Sequence, residues 1–376
     1  KIDDFALGNN HSCVATTSDS VGRSFCWGNN NKGQIGNNSD ISHFTLPQEL
    51  SGVFNSSNIS AKIDNTCVTD LNTNSVWCAG DNDFNQLTNP STDDIKLPVQ
   101  HSGYIDVGIG KDHLCLIDST ANNYIHCAGK NDKGQLGTGN NTNQINPAAI
   151  TQNISATSLA IGFESSCFAD TTGTYNCFGL NNDYQLGING NNSNSNTALA
   201  SGLGSNISNL VSGSNFSCYI NSISKLVYCF GSNANKRSGS QTHISSQGIT
   251  QIDSTKQFDN ISIGSDKACG ITIDNELYCW GGNYQGVEKI LTQLSFTKVK
   301  VGSNHICAIE QSGELYCKGS NSYGQLGNNT TNASSIFVKV DFDFNRPKLT
   351  ITPQLLFDKD SPKQYNFLTN TYGDYD

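Results

Sequence analysis

Cys26-Trp27-Gly28-Asn29-Asn30-Asn31-Lys32-Gly33-Gln34-Ile35-Gly36 is the first and fullest of seven copies of one pattern; the others begin at Cys78, Cys127, Cys177, Cys229, Cys279 and Cys317. Two residues after each of these cysteines stands a glycine (Gly28, Gly80, Gly129, Gly179, Gly231, Gly281, Gly319). Four residues after each stands an asparagine (Asn30, Asn82, Asn131, Asn181, Asn233, Asn283, Asn321). Eight residues on, glutamine appears as Gln34, Gln86, Gln135, Gln185 and Gln325, and is replaced by Arg237 and Val287 in the remaining two copies. A motif returning about every 49 residues makes the whole chain a repeat array, and that decides the architecture before any local reading.

Each copy also owns a second, earlier cysteine. The pairs are Cys13 and Cys26, Cys67 and Cys78, Cys115 and Cys127, Cys167 and Cys177, Cys218 and Cys229, Cys269 and Cys279, Cys307 and Cys317. An even count in phase with the repeat, without a Cys-x-x-Cys knuckle, argues for disulfides rather than zinc, and so for an oxidising compartment. The sixth copy shows the local structure most plainly. Ile261 and Ile263, then Ile271 and Ile273, alternate with polar residues as in half-buried strands. Asp274-Asn275 supplies a tight turn, which sets Cys269 opposite Cys279 across a hairpin, at the Cα separation of about 4.5–5.5 Å typical of directly opposed residues. A glycine lies five residues before the first cysteine in six copies, and only the second departs, with Lys62 there. Fourth strands are traced at Thr45-Leu46-Pro47, Ile95-Lys96-Leu97-Pro98-Val99, Asn146-Pro147-Ala148-Ala149-Ile150 and Ile336-Phe337-Val338-Lys339-Val340. Their prolines confine them to a sheet edge or a strand start. Four strands per unit at this period define a β-propeller, and seven units make seven blades.

The pattern resembles the regulator-of-chromosome-condensation repeat, in which a glycine, a His-Ser-Cys-Ala-Leu-type strand and a turn precede Trp-Gly-x-Asn-x-x-Gly-Gln-Leu-Gly. It shows best from Gly302 to Gly327 and from Gly8 to Gly36, with His11-Ser12-Cys13 in place, and the resemblance covers residues 1–340. The paired cysteines are similar to secreted members of that family rather than to its nuclear exchange factor. The copies from Cys229 and Cys279 have lost Gln-Leu-Gly. Lys1-Ile2-Asp3-Asp4-Phe5-Ala6-Leu7 matches the first strand of a repeat, which places the N-terminus beside the last blade near residues 336–340.

Residues 341–376 match no repeat. Leu349, Ile351, Leu355, Leu356 and Phe357 make this segment apolar, so it reads either as an extension packed on its own propeller or as a strand donated to another subunit's edge. The same five residues are the assembly candidates.

The remaining composition narrows function by exclusion. The chain has 376 residues, 14% of them charged, with a net charge of −10 and no methionine. The acidic balance and the lack of a basic run speak against nucleic acid, and no apolar stretch is long enough to span a membrane. Lys1 reads as a processed N-terminus following a secretory signal. His11, His113 and His305 all lie two residues before a first cysteine, a phase that points to packing or loop hydrogen bonding rather than catalysis. Asp93-Asp94 reads as a solvated loop pair. No nucleophile elbow, phosphate loop or zinc-protease helix occurs. Thirteen N-glycosylation sequons are present against about nine expected by chance from 48 Asn and 73 Ser plus Thr. The candidates are Asn37, Asn55, Asn58, Asn140, Asn153, Asn191, Asn206, Asn328 and Asn332.

The reading is an all-β, seven-bladed β-propeller over 1–340 with one intra-blade disulfide per repeat, followed by a C-terminal extension over 341–376. Its expected role is non-enzymatic, secreted and structural or adhesive, as a glycosylated subunit of an extracellular filament. The alternative is a secreted protein-binding module that uses loops on one propeller face. No cofactor is expected; the partners expected are a protein or a second copy of the chain, with glycans, and neither nucleic acid nor a membrane span.

Overall fold

The structure, a computed structural model, describes residues 2–16, 22–53, 55–70, 72–188, 190–204, 206–237 and 246–342. The assembly candidates Leu349, Ile351, Leu355, Leu356 and Phe357 lie outside these residues. The compact unit ends at Asp341.

The repeat's alternation is realised as strands β1 (Ile2–Leu7), β2 (His11–Thr16), β3 (Arg23–Asn29) and β4 (His43–Glu49), hydrogen-bonded in chain order as an antiparallel meander. Six further sheets of four strands repeat this layout over residues 56–102, 104–149, 156–200, 207–251, 258–289 and 296–339, so the protein is a seven-bladed propeller. In every blade the two cysteines are directly opposed on the second and third strands, as Cys13 is to Cys26 and Cys269 is to Cys279. All seven bridges form within their own blade, and no cysteine is free. The Cα atoms are 4.0–4.1 Å apart, closer than expected from the hairpin alone, because the pairs occupy sites at which facing Cα atoms approach most nearly. The turn at Asn275 adopts φ 61° and closes with a bond from its N–H to the Thr272 carbonyl at 2.9 Å.

The core lies between blades rather than at one centre. Cys115, Ile117, Cys127 and Leu136 of the third blade pack with Phe168, Phe178 and Ala198 of the fourth. Cys13, Cys26 and Ile35 of the first do the same with Ile59 and Val68 of the second. Each bridge is therefore part of the apolar layer that joins two sheets, and the cysteines are essentially unexposed. Outer strands carry the prolines foreseen for edges, at Pro47, Pro98 and Pro147, where a missing N–H costs no ladder bond.

Ring closure differs from the expectation. β1 is the innermost strand of the first blade, and it meets the innermost strand of the seventh, Phe296–Val301, rather than residues 336–340 at that blade's rim. The Lys298 ammonium donates to the Asp3 carbonyl across this junction at 3.2 Å. The reason is phase: among the described residues each blade runs from an inner strand to an outer one and is complete in itself.

Loss of one bridge should therefore weaken the ring without changing its connectivity. Replacing Cys167 and Cys177 together by serine is expected to lower unfolding stability by about 2–4 kcal/mol, read from denaturant midpoints, while non-reducing peptide mapping still finds the other six pairs.

Candidate functional site

Between neighbouring blades the repeat builds a latch. Ser12 Oγ lies 2.9 Å from His305 Nε2 and 2.9 Å from the Gln325 carbonyl. Ser166 Oγ stands in the same relation to His113 Nε2 and the Gln135 carbonyl, again at 2.9 Å each. A carbonyl can only accept, so each serine donates its one proton there and accepts from imidazole N–H. That assigns the neutral Nε2–H tautomer to His113 and His305. His11 Nε2 meets Thr66 Oγ1 of the second blade at 2.9 Å. The three phase-locked histidines are thus fasteners between the first and second, third and fourth, and seventh and first blades. Burial lowers His11 to about 4 and His113 and His305 to about 3.

In the three blades that carry the histidine, the latch also accounts for the glycine five residues before the first cysteine. A Cβ on Gly8 would lie 2.0 Å from His11 Cε1, and one on Gly110 would lie 2.1 Å from His113 Cε1. The second blade has Asn65 in place of the histidine, and it is there that Lys62 replaces the glycine.

The glycine after each second cysteine, expected to need a positive φ or a close approach, has both. Gly28 sits at φ +104°, and a Cβ would be 2.4 Å from the Asn10 carbonyl.

The asparagine and glutamine of the repeat act on the connection between third and outer strands. Asn131 Oδ1 accepts the Leu136 N–H at 2.9 Å, while its Nδ2 donates to the carbonyls of Asn140 at 2.9 Å and Thr142 at 3.1 Å. Gln135 Oε1 accepts the Lys133 N–H at 2.9 Å. The clamp recurs at Asn30 with Gln34, Asn82 with Gln86, Asn181 with Gln185 and Asn321 with Gln325. These five belong to blades 7, 1, 2, 3 and 4, which are consecutive around the closed ring. In a meander the inner-to-second and third-to-outer connections share one face, so the clamped loops form a continuous arc on it. In the fifth blade, at Arg237, the loop becomes a short 3-10 turn, Ala234–Lys236. In the sixth, with Val287, the outer strand shrinks to Glu288–Lys289.

Over the first two blades this face carries a cluster of charged side chains, and a second lies on the third blade around Lys130, Asp112 and Asp132. Lys32 Nζ is 2.9 Å from Asp81, 3.3 Å from Asp83 and 3.2 Å from Asp94. Burial opposes its charge, yet the hydrogen bonds it donates to these carboxylates hold the Lys32 amine above the ordinary lysine value. Asp94 is thus partnered, whereas Asp93 is solvent-exposed.

Of the sequon asparagines, Asn58, Asn140, Asn153, Asn191, Asn206 and Asn332 are exposed, whereas Asn37, Asn55 and Asn328 are half-buried. Asn37, Asn140, Asn191, Asn328 and Asn332 lie on the clamped loops. Asn55, Asn153 and Asn206 lie on connections at the opposite face, and Asn58 lies in the strand Ser56–Lys62. No helix among the described residues is long and apolar enough to cross a membrane.

Fold and site together define a disulfide-bonded seven-bladed propeller whose blades are joined by repeat-phased polar latches. Sequence patterns of the regulator of chromosome condensation (RCC1) repeat match residues 2–34, 22–62, 258–287 and 296–325, so the chain carries repeats of that type over those residues. A probable E3 ubiquitin-protein ligase, HERC4 of Homo sapiens, is 27% identical over 192 residues, which is 48% of this chain and 18% of that protein. The chain therefore spans less than a fifth of the length of the curated relatives it matches. Human WBSCR16 superposes with a TM-score of 0.70 at 16% identity, covering 82% of this chain and 86% of its own. Prp20p of Saccharomyces cerevisiae gives 0.57 at 17% identity, covering 91% and 77%. The ectodomain of the Physcomitrella patens receptor kinase CR4 gives 0.56 at 17%, covering 85% and 73%. At these identities the likeness is one of fold.

Sequence reasoning missed the hydroxyl half of the latch, although a signal was present. A histidine two residues before the first cysteine occurs only where the next blade has Ser or Thr one residue before its own: His11 with Thr66, His113 with Ser166, His305 with Ser12.

Two measurements probe these junctions. Trp27 Nε1 donates to the Gln325 carbonyl at 3.0 Å, whereas Trp280 Nε1, facing a blade without that glutamine, has no partner among the described residues. Trp27→Phe should therefore cost about 1 kcal/mol more than Trp280→Phe in chemical unfolding. The unfolded chain protonates its histidines below about pH 6.5, while the latched imidazoles stay neutral down to about 3–4. The unfolded state thus binds more protons in that window, and stability falls as pH drops from about 6.5 towards 4. Melting temperature against pH should show this decline, made shallower by His11→Gln, His113→Gln and His305→Gln combined.

Proposed function

We propose that the protein is a non-enzymatic, secreted protein-binding module that uses the arc of clamped loops on blades 7, 1, 2, 3 and 4. The observation that carries this is the shared clamp. Five neighbouring loops are ordered internally by their own Asn and Gln side chains, while their tips, such as Asn140, Asn141, Thr142 and Asn329, stay exposed. Loops ordered before contact lose less entropy on binding, so their polar tips can contribute net affinity. The seven buried bridges support an oxidising, extracellular location. By analogy of fold only, Prp20p has been described with binding properties to Gsp1p and histones, and in complex with Kap60; this chain's acidic loops do not transfer those partners.

Glycans belong to the same reading. Sequons at Asn140, Asn191 and Asn332 stand exposed on the arc, and occupancy there would set which part of the face a partner can reach. Self-assembly is the case in which the partner is a second copy of the chain.

Loop exchange tests the reading. Residues 138–143 and 328–333 are replaced together by Gly-Ser segments of equal length, with the turn at 222–225 on the opposite face replaced as control. Extracellular proteins captured by the parent should be retained by the control and lost by the loop variant. Retention by the loop variant, or loss by the control, overturns the assignment. Electron microscopy and glycopeptide mass spectrometry of the same samples report fibres and sequon occupancy.

A further inference from the structure

The inner strands converge on the propeller axis through a ring of glycines, and at six of seven positions there is no room for a side chain. A Cβ on Gly264 would lie 2.2 Å from the Gly302 carbonyl, and one on Gly302 would lie 2.7 Å from the Gly8 carbonyl. The seventh position is Lys62, at the end of the second blade's inner strand Ser56–Lys62. Its side chain turns into the axis and crosses it. The amine donates to the Ile161 carbonyl of the fourth blade and, at 2.9 Å, to the Ser212 carbonyl of the fifth. It also stands 5.9 Å from the centre of the Phe163 ring. The space around it is small and partly open to solvent, lined by Leu7, Ile263 and Val301, by the polar side chains of Asn9, Ser265 and Ser303, and by the glycine backbone. Two carbonyl acceptors and an aromatic face form the environment that suits a primary ammonium group.

We propose that the propeller axis holds an ammonium-binding site built from inner-strand backbone carbonyls of blades 4 and 5 and the Phe163 ring, and that Lys62 is its intramolecular ligand, tying the second blade across the axis and closing the channel. No acidic or second basic side chain lines the cavity among the described residues. His113 is the titratable neighbour that feels the lysine's charge. Burial accordingly lowers the Lys62 amine to about 7. Charged or neutral, the amine keeps at least two N–H donors, so both carbonyls stay bonded across that range. The second blade, which carries Lys62, adjoins neither the fourth nor the fifth. Its bonds therefore resist a shear of the ring that the latches between adjacent blades do not oppose directly.

Chemical rescue distinguishes a ligand site from simple filling of space. Lys62→Gly, which installs the residue of the other six blades, should lower the melting temperature by several degrees. Propylammonium chloride should restore at least half of the loss. Tetramethylammonium chloride, at equal ionic strength and without N–H donors, should restore none, and neither salt should move the parent. Lys62→Met keeps the aliphatic stem and covers the case in which the glycine variant does not fold; it should melt below the parent and ignore propylammonium. In the parent labelled with 15N-lysine, one Nζ should titrate well below the rest, and Lys62→Met should remove it. A Lys62→Met variant as stable as the parent, equal rescue of Lys62→Gly by both salts, no rescue by either, or a Lys62 amine titrating with the surface lysines overturns the proposal.

Discussion

A covalent bond at the middle of every sheet is the constraint on which this structure depends. The cysteines face each other on the second and third strands, where they are buried and form part of the apolar layer shared with the next blade. A four-stranded sheet from a chain only 35% apolar has little surface to bury, and the entropy of ordering its strands is large. A bridge closing a loop of about 11 residues removes about 3 kcal/mol of that cost from the folding balance. Set against a usual margin of about 5–15 kcal/mol, even partial additivity over seven blades is decisive. The same bond fixes strand register, since a shift by one residue would turn a cysteine to the wrong face.

Once each blade is self-sufficient, the interfaces between blades can be polar. Serine, the histidine Nε2–H and a main-chain carbonyl meet in a water-excluded layer with these bonds matched, which limits the cost of burying them, while Nδ1 of each imidazole has no partner among the described residues. The arrangement also joins blades 7 and 1, so the junction that closes the ring is fastened like those between blades 1 and 2 and between 3 and 4. Irregularity appears at blades 5 and 6 instead, where the glutamine is replaced by Arg237 and Val287 and a tryptophan N–H is left without an acceptor among the described residues.

Much of this was legible in advance because a repeat reports on itself. The period set the number of blades. The phase of the cysteines set the bridges, and the asparagine and glutamine after each second cysteine marked the loops they organise. The phase of the histidines pointed to packing or hydrogen bonding, and the structure places them in hydrogen bonds between blades, but their partners were not foreseen. A side chain's neighbour inside its own repeat follows from spacing along the chain, whereas its neighbour in the next repeat follows from how two rigid sheets are set against each other.

Lys62 shows the limit most clearly. As a sequence feature it was one departure from a run of glycines, with nothing to say whether its side chain met solvent, its own blade or another. Its acceptors are carbonyls 99 and 150 residues away, and main-chain carbonyls carry no mark in the amino-acid code. The sequence by itself determined the blades, their bridges and the ordering of their loops, because those contacts are local and repeat with the chain. Only the tertiary structure decided what crosses the axis and which faces the loops share, because those depend on closing the ring.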